Sequence, residues 1–177
     1  MKSTTLLSQE HKVILRTLDV MDAICARLEA GHQADEQDIG HILDFLRSFA
    51  DAHHQAKEEA ILFPALKRAA AAQGRPVDHL SREHDQERSL VEDLETELRL
   101  ARLPEFVASA RRLSSTLRNH MYKEDRILFA EADAILGSED DSAVFDSLSR
   151  FDTALDRQEM EEKLKLFHTL EWKYLRK

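Results

Sequence analysis

The sequence predicts an all-α protein, an up-down four-helix bundle with one or two extra helices at its C-terminal end. Only four of the 177 residues are glycine and three are proline, while 33% are charged, a composition that favours helices over sheets. Apolar residues recur at alternating steps of three and four, which places them along one face of each helix. Breaks at Gly31, at residues 73–76 and at Pro104 separate four such segments.

Each of the four segments has its own stripe along one face. The first stripe contains Leu7, His11, Ile14, Leu18, Met21, Cys25 and Leu28. The second contains Ile39, Leu43, Leu46, Ala50, His54, Glu58 and Ile61. The third contains Leu80, His84, Val91, Leu94 and Leu98. The fourth contains Phe106, Ala110, Leu113, Leu117, His120, Glu124, Ile127 and Glu131. Every stripe therefore places a histidine, or a histidine with a glutamate, where a bundle core requires an apolar residue.

These inward-facing polar residues need compensation. A single histidine on an apolar face is usually a hydrogen-bonded core residue, and a buried carboxylate without a partner is costly. The same substitution in all four stripes favours one compensating object that the helices share. We therefore predict a metal centre inside the bundle.

A ten-residue segment occurs twice, 66 positions apart, and indicates a duplicated helix pair. Residues 54–63 and 120–129 share six identities, and each copy begins with a histidine four residues before a glutamate. This spacing puts both side chains on one helical face. The dipeptide Glu-His also recurs, at residues 10–11 and 83–84. Such pseudo-two-fold symmetry predicts two metal ions with similar ligand sets.

The predicted metal ligands are His11, His54, Glu58, His84, His120 and Glu124. Their nitrogen and oxygen atoms suit iron or manganese, and the set has no thiolate that would favour a structural zinc. Two octahedral ions need about twelve positions, of which four imidazoles and two bridging glutamates fill about eight. A shared oxo or hydroxo bridge leaves about one open position per ion. The donor count therefore leaves iron and manganese as the candidate metals, and the open positions predict that the centre binds a small molecule.

Three further residues near the third and fourth helices have open roles. Glu83 and Glu87 are predicted to act either as a seventh ligand or as acceptors that fix the tautomer of His84. Tyr122 is a candidate hydrogen-bond donor near the centre.

The other polar residues are predicted to lie at the edge of the site or outside it. His53 points about 100° away from His54 and is assigned to a second layer or to the exterior. The lysines predicted to reach solvent from the boundary are Lys57 and Lys123. The acids predicted to face outward are Glu59 and Asp125. Asp125 is also an alternative to Glu124 as a ligand. The histidines predicted to be solvated are His32, His41 and His168.

Together these residues resemble the hemerythrin-like HHE cation-binding family, in particular its bacterial branch with a doubled histidine before the first glutamate. The motifs are Glu-His at 10–11, HHxxKEExxLFP at 53–64, Glu-His at 83–84 and HxxKED at 120–125, and the match covers about residues 6 to 135. The resemblance implies an up-down four-helix bundle with a non-haem di-iron centre. It implies that the four histidines are terminal iron ligands and that Glu58 and Glu124 are bridging carboxylates.

The third helix departs from the oxygen-carrying members of that family, which have two histidines one turn apart there. Here the earlier position is Leu80, and His79 is only adjacent to it. The resemblance therefore implies a protein that binds O2, NO or peroxide for sensing, storage or stress response rather than for oxygen transport. One alternative is a di-iron enzyme, for peroxide disproportionation or for NO reduction and iron–sulfur repair. The other is an iron- or oxygen-responsive interaction module.

The sequence also predicts the domain boundaries, the classes of partner that are excluded, and the cellular location. Residues 1–137 are predicted to form the metal-binding bundle, and residues 138–177 a helical extension that packs on it or mediates association, as a monomer or homodimer. The net charge of −9 argues against nucleic acid and anionic membranes as partners. A single cysteine, no apolar run of about 20 residues and no secretory signal indicate a cytoplasmic protein.

Overall fold

The computed structural model describes residues 1–69, 77–154 and 157–176, and within them the chain forms six helices. Their bounds are α1 Lys2–Glu29, α2 residues 36–69, α3 Asp78–Arg99, α4 residues 103–135, α5 Ser138–Ala154 and α6 Arg157–Leu175. The predicted all-α class, a bundle with extra C-terminal helices, is confirmed. The predicted break at 73–76 lies outside the described residues. Over the described ranges, no helix combines the length and apolar character that a bilayer crossing requires.

Local sequence signals account for several helix ends. α1 ends before Gly31, whose φ of +75° is easily adopted by a residue without a Cβ atom. The Asp35 carboxylate accepts the backbone N–H of Gln37 at 2.9 Å and caps α2. Pro104 lies in the first turn of α4, where an N–H would have no partner within the helix. The predicted breaks at Gly31 and Pro104 are therefore confirmed.

Helices α1 to α4 surround a common interior, because α1 and α3 each pack against both α2 and α4. Two separate apolar clusters fill this interior, and the polar stripe residues lie between them. In α1, for example, His11 follows Leu7 of one cluster and precedes Ile14 of the other. In α3, His84 likewise lies between Leu80 and Leu90. The polar centre is thus a layer between two apolar regions that exclude water.

The C-terminal helices α5 and α6 complete both apolar clusters. α6 packs on α1 and α2, where Phe167 stacks on Phe45 with ring centroids 5.0 Å apart. α5 packs on α1 and on the middle of α2, and its Leu148 is fully buried. Asp141 of α5 also accepts the backbone N–H groups of Lys2 and Ser3 at the start of α1. The extension therefore shares its core with the bundle, and the domain boundary at residue 137 stays a prediction.

Candidate metal centre

All six predicted ligands converge on one buried point in the bundle. They form two groups of four whose ligand atoms lie within 4.8 Å of one another, and both groups contain Glu58 and Glu124. The first group is completed by His11 and His54, and the second by His84 and His120. The two histidines of each group come from two consecutive helices, so the duplicated sequence pattern corresponds to two adjacent, similar sites.

The distances between these atoms match the surroundings of two cations. The Nε2 atoms of His11 and His120 lie 3.3 and 3.2 Å from the same oxygen, Oε2 of Glu124. Glu58 turns one oxygen towards each half, with Oε1 3.6 Å from His54 Nε2 and Oε2 3.6 Å from His84 Nε2. Ligand atoms about 2.1 Å from one ion lie about 3 Å apart when they are neighbours around it. Both glutamates are therefore placed to contact both halves.

His84 Nε2 and His120 Nε2 lie 2.9 Å from each other, and the other inner atoms of this centre lack hydrogen-bond partners among the described residues. Within the described residues, no hydrogen bond reaches His11 Nε2, His54 Nε2 or any of the four carboxylate oxygens of Glu58 and Glu124. Both glutamates are 0% exposed, and buried polar atoms are normally paired. Lone pairs of nitrogen and oxygen that face one another in a dry interior fit a cation, and the donor set fits the predicted iron.

The ionisation of the centre shows how closely its groups interact. Burial, and then the charge of Glu124, hold the pKa of Glu58 well above its usual range. Burial opposes ionisation of Glu124 as well, but His120 and His11 outweigh it and hold its pKa below the usual range. Burial disfavours the charged form of His120, yet Glu124 raises its pKa to about 9. Complete burial lowers the pKa of His54 to about 4. At neutral pH the protons on Glu58 and His120 are the ones that a bound cation would displace.

An outer carboxylate holds the second ring nitrogen of each histidine. The pairs, given as Nδ1 to carboxylate oxygen, are His11–Asp125 at 3.0 Å, His54–Glu10 at 2.8 Å, His84–Glu59 at 2.7 Å and His120–Glu83 at 2.8 Å. An Nδ1–H that donates to a carboxylate leaves the Nε2 lone pair free to bind a metal. All four imidazoles are therefore oriented as metal ligands.

These outer carboxylates correct two predictions. Glu59 and Asp125 were expected to face outward, but both turn inward to a histidine and are about one-third exposed. Glu83 was expected to be a seventh ligand or to fix the tautomer of His84, and instead its carboxylate contacts Nδ1 of His120. Contacts between helices decide these positions, and the spacing along one helix does not reveal them.

A widened helical turn follows each core glutamate. The backbone N–H of Phe63 donates to the carbonyl of Glu58, five residues earlier, and that of Phe129 donates to the carbonyl of Glu124. Such π-helical turns are frequent at functional sites. Neighbouring side chains in a wider turn diverge less, which lets Glu58 and Glu59 both face the interior. Apart from the repeated segment itself, no sequence pattern predicted these turns.

The two lysines of the repeat have different surroundings. Lys57 was expected to reach solvent but is fully buried, and its Nζ contacts Glu10, His53 at 3.1 Å and Asp152 at 2.8 Å. The ammonium group fills the space between those three side chains, and His53 belongs to the interior. Lys123 contacts Glu83 and remains about one-quarter exposed. The difference arises because α5 covers only the first half of the centre.

The remaining candidates are not members of the two ligand groups. Glu87 is buried and accepts a hydrogen bond from Gln55 at 2.6 Å, and burial raises its pKa to about 7. Leu80 belongs to an apolar cluster. Four of these candidates are exposed: His32, His79, His168 and Tyr122. Tyr122 is 62% exposed and is therefore no hydrogen-bond donor to the centre. His41 is half-buried, so the prediction that it is solvated was wrong.

Comparison with known families agrees with this geometry. The family model of the hemerythrin HHE cation-binding domain matches residues 2–132, which contain all six residues of the two ligand groups. No curated protein and no solved structure matches the chain.

Proposed function

We propose that this chain, which belongs to the hemerythrin HHE cation-binding domain family, holds two non-haem iron ions in the layer between its apolar clusters. The observation that carries the proposal is that both groups of four ligands share Glu58 and Glu124. The oxygens of these glutamates are buried and have no hydrogen-bond partner among the described residues. In this arrangement His11 and His54 would hold one ion, His84 and His120 would hold the other, and Glu58 and Glu124 would be ligands available to both. Imidazole and carboxylate ligands without a thiolate support iron, with manganese as the alternative.

We further propose that the centre binds O2, NO or peroxide, in the cytoplasm, for sensing, storage or stress response. Each group offers four protein ligands, fewer than the six that iron commonly takes, so a small molecule has room to bind. A pair of iron ions supplies redox chemistry towards such ligands. Leu80 supports a role other than oxygen transport, because its apolar side chain cannot add a ligand at that position of α3.

The chain's own residues prepare the centre in two ways. The outer carboxylates Asp125, Glu10, Glu59 and Glu83 fix the tautomer and the orientation of the four imidazoles. The two apolar clusters exclude bulk water and so strengthen every electrostatic interaction inside the layer.

Metal analysis of ligand variants tests the proposed site. We expect about two iron ions per purified chain, and we expect His120→Ala and Glu58→Ala to lose most of them because each removes a protein ligand. His168→Ala is the matched control, since that histidine is 66% exposed and lies in α6. Less than about one metal per chain, zinc alone, or equal retention in all three variants would refute the assignment.

Optical titration with O2, NO and H2O2 then identifies the ligand. A reversible band with O2 or NO favours binding, and rapid release of O2 from peroxide favours the enzyme alternative. No spectral response to any of the three would contradict the proposed role while leaving the metal site intact.

A further inference from the structure

A small pocket lies beside the metal centre and contains none of the six proposed ligands in its lining. It has a volume of about 100 Å³ and lies between α2, α3 and α4. Leu46, Ala50 and Leu117 form part of its apolar wall, and Gln55 and Glu87 form its polar part. A space of this size holds a few molecules no larger than water and is too small for a metabolite.

The polar part of the pocket offers two unused hydrogen-bond acceptors. Gln55 Nε2 donates to Glu87 Oε2 at 2.6 Å, and this bond directs the other oxygen of each side chain elsewhere. In the part of the chain that the structure describes, neither Gln55 Oε1 nor Glu87 Oε1 has a hydrogen-bond partner. The two residues are 3% and 2% exposed, so this is an unsatisfied pair inside the protein.

The acceptor pair adjoins the centre along two helices. Gln55 follows His54 directly and lies three residues before Glu58, while Glu87 lies three residues after His84. Positions three residues apart on a helix are neighbours on one face. The pocket therefore lies against the proposed iron ligands.

Both arginines at the rim of the pocket are paired with carboxylates, and Glu92 is a further acid of the lining. Arg88 Nε contacts Asp51 at 2.7 Å, and Arg47 contacts Glu95 at 2.6 Å. Because both arginines are engaged, the described lining has no free positive charge to hold an anion.

We propose that this pocket binds hydrogen peroxide next to the metal centre, through its two O–H groups and the Oε1 atoms of Gln55 and Glu87. This inference rests on the proposed function and selects one of its three ligands. O2 and NO have no hydrogen to donate, whereas hydrogen peroxide has one O–H on each oxygen, one for each acceptor. Water is the competing occupant, and the tests below separate the two.

The first test compares peroxide with NO on the iron-loaded full chain. Gln55→Met and Glu87→Met each remove one acceptor at nearly constant volume. We expect the rate of the optical response to peroxide to fall about fivefold or more, as for one lost hydrogen bond. The response to NO should change less than about twofold, since NO does not use these acceptors, and the iron content should stay at the wild-type level.

A matched control comes from another buried acceptor on α3, the helix that contains Glu87. Glu97 Oε2 also has no hydrogen-bond partner among the described residues, but Glu97 contacts Ser109 and does not line the pocket. Glu97→Met should leave both responses unchanged. Equal losses for peroxide and NO in the pocket variants, or an unchanged peroxide response, would overturn the proposal.

A milder variant covers the case in which the methionine variants do not fold. Glu87→Gln keeps the size of the side chain and can still accept from Gln55, but its amide then presents a donor to the pocket. We expect a loss of about twofold to fivefold in the peroxide response, and no loss would overturn the proposal. Iron content of the unaltered chain tests the proposed function separately, because a failure there appears before any peroxide is added.

A second test does not depend on reaction at iron. Crystals of the zinc-loaded protein, in which the metal is redox-inert, are soaked in hydrogen peroxide. We expect two-atom density between the Oε1 atoms of Gln55 and Glu87, and its absence in Gln55→Met. Density for single water molecules alone, the same with and without peroxide, would overturn the proposal.

Discussion

Glu58 and Glu124 place two carboxyl groups at the same dry point of the bundle core. Both are 0% exposed, and each faces two Nε2 atoms. Two buried carboxyl groups so close together lower the free energy of unfolding unless a bound cation compensates for them. The binding of metal and the stability of the fold are therefore linked at these two positions.

We predict that Glu58→Gln stabilises the chelator-treated protein at pH 7 by about 1–3 kcal/mol and removes its metal affinity. Since the pKa of Glu58 is raised by burial and by Glu124, the folded chain keeps this proton after the unfolded chain loses it near pH 4.5. The stability contributed by Glu58 is thus present below that pH and is lost as the pH rises through the folded-state pKa. Urea unfolding with chelator, at several pH values, measures both effects. A less stable glutamine variant at pH 7 would contradict the prediction.

Cys25 is a buried core residue, as the sequence predicted. Burial raises the pKa of its thiol to about 11, so the reactive thiolate is scarce at neutral pH. We predict no reaction with a disulfide reagent at pH 8 in the folded chain, and one thiol per chain in urea. Fast reaction without denaturant would show that the first apolar cluster opens readily.

At the scale of helices, the outer carboxylates form a closed circuit around the bundle. His11 of α1 contacts Asp125 of α4, and His120 of α4 contacts Glu83 of α3. His84 of α3 contacts Glu59 of α2, and His54 of α2 contacts Glu10 of α1. Every pair of neighbouring helices is joined once. The orientation of each imidazole is consequently set by the packing of the next helix, and the four ligands are positioned together.

Removal of one outer acid should weaken metal binding without removing a ligand. We predict that Asp125→Ala lowers the affinity for the first metal equivalent by about tenfold or more, because His11 loses the acceptor at its Nδ1. Asp133→Ala is the control, since this acid lies on the same helix but contacts the N-terminus and Thr4. Competition with a chelator measures the affinity. Equal effects in both variants would show that the loss comes from α4 as a whole.

For the whole molecule, α5 makes the two halves of the centre unequal. Asp152 of α5 contacts Lys57, and Lys57 contacts Glu10, which holds His54. In the other half the corresponding lysine, Lys123, is partly exposed to solvent. The C-terminal helices therefore do more than add core area, because they enclose the polar surroundings of one half.

This asymmetry gives a paired prediction. Asp152→Ala should cost about 1–2 kcal/mol in the free energy of unfolding, because it leaves the buried Lys57 with one partner fewer. Lys123→Ala should cost less than about 1 kcal/mol, since its ion pair is partly solvated. Urea unfolding of both variants gives the comparison. Equal costs would mean that α5 does not shield the first half.

Much of this architecture follows from spacing along the chain. Helices and their inward faces depend on local periodicity, so the stripes already placed His11, His54, His84 and His120 inside the bundle. The i, i+4 pairs and the repeat placed Glu58 and Glu124 beside two of those histidines. Those six positions needed no knowledge of which helices are neighbours, because any compact bundle of four such stripes brings them together.

Only the tertiary structure decided what surrounds them. The acids at Glu59, Asp125 and Glu83 meet histidines of other helices, and Lys57 is buried because α5 covers it. The acceptor pair of Gln55 and Glu87 also joins two helices. A periodic pattern records which face of a helix is inside, whereas the partner of a side chain depends on helix rotation, wider turns and the position of distant segments. The chain by itself therefore determined the fold and its polar centre, and packing between helices determined the environment that tunes it.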